Sequence, residues 1–61
     1  MPHTVALAAL LHALREEVAW LLTQADDFAR QEPETAARYI HRARNLQAVL
    51  DGYERLQAKS A

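Results

Sequence analysis

The sequence predicts an all-α protein, a two-helix antiparallel hairpin whose helices pack like those of a coiled coil. The chain has 61 residues with only one glycine and two prolines, so little in it interrupts a helix. Leucines and alanines recur at alternating spacings of three and four in two segments, which Pro33 separates. Residues 1–61 are therefore expected to form a single helical hairpin.

The first helix is expected over about residues 4–30, with Thr4 as its N-cap. A turn follows at residues 31–33. Pro33 can start the next helix because the first helical position needs no amide donor. Glu34 then places a negative charge at the positive end of the helix dipole.

The second helix is expected over about residues 33–57, with fraying at Lys59, Ser60 and Ala61. Gly52 lies inside this segment, where glycine destabilises a helix by about 1 kcal/mol relative to alanine. We expect a weak point of the helix, or a close approach of another segment, at Gly52.

The two helices carry matching apolar seams with heptad spacing, as expected for helices that pack at a shallow angle. The seam of the first helix consists of Leu7, Leu11, Leu14, Val18, Leu21, Ala25 and Phe28. The seam of the second consists of Ala36, Tyr39, Ala43, Leu46, Leu50, Tyr53 and Gln57. Residues at equal distances from Glu32 then face each other, so that Leu21 meets Ala43. Phe28 likewise meets Ala36, and this pairing of large with small side chains favours close packing.

Further apolar residues lie outside the seams, and two helices cannot cover them all. Five of them flank the seam and widen it to the broader face of a helix in a bundle. Trp20 lies farther round the first helix, where a hairpin core does not need it, and suits an interface anchor. We expect the hairpin to complete a helical bundle, as a homodimer or by binding another protein. The apolar residues expected at this contact are Leu10, Trp20, Leu22, Ile40, Val49 and Leu56.

No catalytic, cofactor or metal site is expected, and the chain is interpreted as a non-enzyme. It contains no cysteine, which excludes disulfides and thiolate metal sites. His3 and His12 are too far apart in sequence to share the helix edge that a metal site uses. His12 is instead expected to form a surface pair with Glu16, one turn later.

Arg38, His41, Arg42 and Arg44 form the basic cluster of the sequence. Its default interpretation is a solvated face, on which Glu34 can pair with Arg38. In the functional interpretation, Arg38 and Arg42 contact an acidic protein surface or RNA. The formal net charge of −1 provides no long-range attraction to phosphate, so nucleic acid is disfavoured as a partner.

The chain is expected to be cytoplasmic. Its longest apolar stretch, residues 5–11, is far shorter than the roughly 20 residues of a transmembrane helix. It also lacks the basic flank and the cleavage site of a signal peptide. No membrane contact is therefore expected.

A set of residues along most of the hairpin carries a family resemblance. These residues are Leu14-Arg15, Leu22 and Ala29-Arg30 before the turn, then Pro33-Glu34, Ala43-Arg44, Leu46, Leu50 and Leu56. In them the chain resembles the YscE-like co-chaperones of the bacterial type III secretion needle subunit. The resemblance implies a hairpin that docks on a tetratricopeptide-like chaperone and helps to keep the aggregation-prone needle subunit soluble.

Two other classes of regulator remain open. In length and layout the chain is similar to Rop-like plasmid regulators, which dimerise into four-helix bundles and bind RNA, although its first helix is not basic. The run Leu10-Leu11-x-x-Leu14-Arg15, with Tyr39 and Leu46, also resembles small phage-encoded quorum-sensing anti-activators. That similarity implies an inhibitor that binds a host protein as a helical-hairpin dimer.

Overall fold

The computed structural model describes the backbone of residues 2–60 and the side chains of residues 5–59. Within this range the chain forms two α-helices, α1 (Pro2–Phe28) and α2 (Pro33–Ser60), and no strand. The helices pack against each other as an antiparallel hairpin that measures 46 × 18 × 10 Å. The predicted all-α hairpin is confirmed.

Both helices extend farther towards the chain ends than the sequence predicts. α1 begins at Pro2, whose fixed φ suits the first turn of a helix, so Thr4 lies inside α1 and is not its N-cap. α2 continues through Lys59 to Ser60. The predicted fraying of Ala61 and the side-chain contacts of Thr4 lie outside the described residues.

At the turn, α1 ends at Phe28, two residues before its predicted end, and residues 29–32 connect the helices. The Ala29 N–H donates to the carbonyl of Asp26 at 3.4 Å. The Glu32 N–H donates to the carbonyl of Phe28 at 2.8 Å. The carbonyl groups in the last turn of a helix have no partner within the helix. These two bonds supply partners for two of them from the short connection itself.

α2 begins at Pro33, as the sequence predicts. The Glu32 carbonyl accepts the Ala36 N–H at 3.0 Å and so starts the hydrogen-bond ladder of the helix. The Glu32 carboxylate accepts the Thr35 hydroxyl at 3.4 Å. With Glu34 in the first turn, two carboxylates lie near the positive end of the α2 dipole and stabilise the start of the helix.

The core is a single seam of side chains between the helices. The buried hydrophobic side chains within residues 5–59 are Leu11, Val18, Leu21, Ala25, Ala36, Ala43 and Leu50. Leu7, Leu14, Tyr39 and Leu46 are partly buried and pack against this seam. All of these residues belong to the predicted seams, so the heptad spacing identified the core correctly.

The predicted seam is wrong at the open end of the hairpin. Tyr53 remains 39% exposed, and Gln57 is exposed as well. A single layer of two helices covers a large ring such as that of Tyr53 from one side only. The amide of Gln57 keeps its hydration at the surface because burial without a partner would cost free energy.

Gly52 lies inside α2, and among the described residues no atom beyond its chain neighbours and the adjacent backbone of its own helix lies within 4 Å of the position that a Cβ would take. The close approach that the sequence suggested is therefore not observed. Gly52→Ala is expected to raise the free energy of unfolding by up to about 1 kcal/mol, because alanine favours the helix and restricts the unfolded chain. Urea unfolding followed by circular dichroism measures this change. An unchanged or lower midpoint would contradict the unobstructed position of Gly52 within the helix.

Candidate partner-binding surface

The hairpin exposes more surface than a compact protein of its mass. Its accessible area is 4978 Å², whereas a compact monomer of 6.9 kDa exposes roughly 4000 Å². Its radius of gyration is 14.3 Å, whereas a compact domain of this length has about 10.5 Å. A single layer of helices has no second layer to cover the side chains beside the seam, and this accounts for the excess.

Large hydrophobic side chains are exposed on both helices. Among the described residues they are Val5, Leu10, Trp20, Leu22, Ile40, Val49, Tyr53 and Leu56. All six apolar residues that the sequence predicts at a contact belong to this set. The set also contains Val5 and Tyr53, and sequence reasoning missed Tyr53 because its spacing assigned it to the seam.

The predicted contact residues lie on two sides of the hairpin. Trp20 and Leu22 flank Leu21, which is fully buried against α2. Consecutive helical residues are about 100° apart, so Trp20 and Leu22 point to opposite sides of the seam. Leu22 shares a groove with Ile40, whereas the ring of Trp20 contacts Tyr39. We call these two sides the groove face, marked by Leu22 and Ile40, and the aromatic face, marked by Trp20 and Tyr39.

The groove face contains an apolar groove of about 320 Å³ between the helices. The groove is lined by Val18, Leu22, Ile40, Ala43, Arg44 and Gln47. Val18 and Ala43 are buried residues of the core and form its floor. Because Ala43 is small, the larger side chains of Leu22 and Ile40 extend beyond it on the two sides of the groove.

The aromatic face begins near the turn with three rings in contact. Trp20 meets Tyr39 edge to face, with ring centroids 6.0 Å apart, and Tyr39 is stacked on Phe28 at 5.8 Å. Trp20 nevertheless remains 51% exposed. Sequence reasoning placed Trp20 away from the hairpin core and missed its contact with α2, because the ring of Tyr39 reaches beyond the seam.

Beside the rings, an open pocket of about 510 Å³ lies on the surface of α2. It is lined by Thr35, Arg38, Tyr39, His41, Arg42 and Asn45. The pair of Glu34 with Arg38 that the sequence predicts is not formed. Among the described side chains, neither Arg38 nor Arg42 makes an ion pair with a carboxylate. Two guanidinium groups thus lie around the same pocket as Tyr39, the ring that Trp20 contacts.

Towards the open end, the aromatic face continues as an apolar surface. Leu10 comes directly before a buried seam residue of α1, as Trp20 does, and therefore lies on the same side. On α2, Val49 comes directly before buried Leu50, just as Arg42 comes directly before buried Ala43. Val49 therefore lies on the same side of the seam as Arg42. A shallow groove of about 330 Å³ there is lined by Ala48, Val49, Gly52, Tyr53 and Leu56.

Two ion pairs occur among the side chains of residues 5–59, and both lie outside the aromatic face. His12 Nε2 lies 2.6 Å from Glu16 Oε1, which confirms the predicted surface pair. An Arg15 guanidinium nitrogen lies 3.6 Å from Glu54 Oε1 and links the helices on the side of the groove face, because Arg15 lies two turns before Leu22. Both pairs are solvent-exposed and contribute about 1 kcal/mol or less.

No group of three or more histidine, aspartate or glutamate side chains in the described range is arranged to hold a metal ion. The side chain of His3 lies outside that range. Over the residues that the structure describes, neither helix has an apolar segment that could cross a membrane.

The chain is thus a single-layer helical hairpin with two different exposed flanks. No family model, curated protein or solved structure matches it at a significant level. The geometry of the aromatic face and of the groove face is therefore the basis for assigning a function.

Proposed function

We propose that this chain is a non-catalytic interaction module that binds another protein through its aromatic face. The observation that carries the proposal is the half-exposed Trp20, which rests on Tyr39 beside Arg38 and Arg42. Tryptophan, tyrosine and arginine are the residue types that dominate the energetic centres of protein interfaces. The apolar surface at Leu10 and beyond extends this centre along the hairpin.

The chemistry of the face indicates the kind of partner. An indole supplies a large apolar area with few rotatable bonds, and so it loses little entropy on binding. A guanidinium group can bind a carboxylate through two parallel hydrogen bonds. We therefore infer a partner that presents apolar side chains next to Asp or Glu. The apolar side chains would cover Trp20, and the carboxylates would bind Arg38 and Arg42.

The leading specific version is the co-chaperone role that the YscE-like resemblance implies. The partner is then a tetratricopeptide-like chaperone, and the complex helps to keep a type III secretion needle subunit soluble in the cytoplasm. Trp20 is the only tryptophan of the chain, so its emission reports directly on this face. Titration with such a purified chaperone, itself free of tryptophan, is expected to shift the emission to the blue as the indole is buried. An unchanged spectrum, with no heat of binding in calorimetry, would rule out this version.

An RNA-binding dimer is the alternative that uses the same arginines. RNA affinity that depends on Arg38 and Arg42 falls steeply with salt. For single strands, the logarithm of the binding constant changes with the logarithm of the salt concentration by a slope of about −0.7 per phosphate contact. We expect no such binding of a folded RNA probe in filter assays between low and physiological salt. A salt-sensitive affinity that is lost in the Arg38→Ala/Arg42→Ala variant and unchanged in Trp20→Ala would contradict the protein-binding proposal.

A further inference from the structure

We propose that the groove face is a homodimer interface through which two copies of the hairpin form a four-helix bundle. This interface lies on the side of the seam opposite to Trp20. The aromatic face therefore remains accessible in the dimer, which presents it twice. The inference goes beyond the proposed function, because it assigns the second flank to a different occupant.

The groove has the form of a receptor for a helix side chain. Its apolar lining consists of Val18 and Leu22 of α1 and Ile40 and Ala43 of α2, and Arg44 and Gln47 complete it. In helix packing, side chains of one helix insert into the grooves between the side-chain ridges of its neighbours. A side chain that enters here touches buried core residues at once, so the seam of each copy becomes continuous with the interface.

The two exposed side chains of this face are placed for a self-complementary contact. Leu22 and Ile40 are ten and eight residues from Glu32, and with a rise of 1.5 Å per residue they lie about 15 and 12 Å above the turn. A twofold axis parallel to the hairpin brings Leu22 of one copy over Ile40 of the second copy, and the reverse, as an isologous interface requires. In this arrangement α2 lies over α1 of the second copy, which keeps the like-charged Arg44 side chains apart.

The area available matches what a stable dimer needs. The broad side of the hairpin, 46 × 18 Å, gives a footprint of about 830 Å² per copy, and stable interfaces bury about 800 Å² per partner. Each hairpin is 10 Å thick, and packed helices are about 8–10 Å apart. A second hairpin therefore adds one regular helical layer.

The molar mass of the full chain in solution tests this interface, by light scattering across a dilution series. The chain offers a matched pair of variants on α1, since Leu22 is 48% exposed and Leu10 is 47% exposed on the other side of the seam. We expect twice 6.9 kDa for the wild type and for Leu10→Glu, and 6.9 kDa for Leu22→Glu. The emission of Trp20 should not change when the dimer dissociates into folded hairpins.

Several results would overturn the proposal. They are a wild-type mass of 6.9 kDa at every concentration, a dimer that survives Leu22→Glu, and a dimer that Leu10→Glu also abolishes. Alanine variants test the interface without introducing a charge. Leu22→Ala and Ile40→Ala retain the helix, and each should raise the dimer dissociation constant about tenfold. An unchanged constant in both alanine variants would equally contradict it. Molar mass reports on the dimer, whereas the emission of Trp20 reports on binding of another protein. A failure of the dimer and a failure of the proposed function can therefore be told apart.

Discussion

Leu21→Ala is expected to unfold the hairpin under conditions in which the wild type remains helical. Leu21 is fully buried at the centre of the seam. Replacing a buried leucine by alanine costs about 2–5 kcal/mol, because the apolar contact is lost and a cavity remains. A core of this size supplies only about 3–5 kcal/mol of net stability, so the loss is comparable with the whole.

Circular dichroism during thermal unfolding, at one fixed protein concentration, measures this effect. Leu10→Ala is the matched control, because it removes the same atoms from α1 at an exposed position outside the seam. The control is expected to change the free energy of unfolding by less than about 1 kcal/mol. Equal losses of stability in the two variants would show that the hairpin does not depend on the seam.

Trp20→Ala is expected to weaken binding of a protein partner by roughly 30- to 150-fold. A tryptophan buries about 150–250 Å² in an interface, and about half of the Trp20 side chain is still exposed in the hairpin. Burial of the remaining area of about 100 Å² contributes roughly 2–3 kcal/mol, which corresponds to that loss of affinity. The helix itself should persist, because alanine favours helix and Trp20 lies outside the seam.

Calorimetric titration of the full chain with its partner measures this change. Arg42 and Arg44 provide an internal control, since they flank buried Ala43 and so point to opposite faces. Arg42→Ala is expected to weaken binding, whereas Arg44→Ala leaves it unchanged. Equal affinities for the wild type and Trp20→Ala would contradict an interface centred on the indole.

The core and the turn could be predicted because they depend on local rules. The spacing of Leu11, Val18 and Leu21 determines which side of α1 faces α2, whatever the partner residues are. Pro33 determines where α2 begins, because its ring restricts φ and removes a donor. The last residues of the seam, Tyr53 among them, escaped prediction because their burial depends on a neighbouring layer that one hairpin does not supply.

The candidate surface was predicted in its residue types but not in its arrangement. The sequence shows that Trp20 and Leu22 are apolar and lie outside the seam, and both are exposed in the structure. Their division into two faces appears only once the buried position of Leu21 between them is known. The contact of Trp20 with Tyr39 depends on the reach of two rings across the hairpin, which spacing along one helix does not describe.

Site-specific photo-cross-linking tests most directly whether the aromatic face binds another protein. A photoreactive phenylalanine derivative replaces Trp20 in the full chain, expressed in its native host. In the control it replaces Thr23, which is exposed and two residues beyond buried Leu21, on the outer surface of α1. We predict that position 20, but not position 23, forms a covalent adduct with one defined second protein, identified by mass spectrometry. An adduct that contains only copies of this chain, or the same products from both positions, would contradict the proposed function.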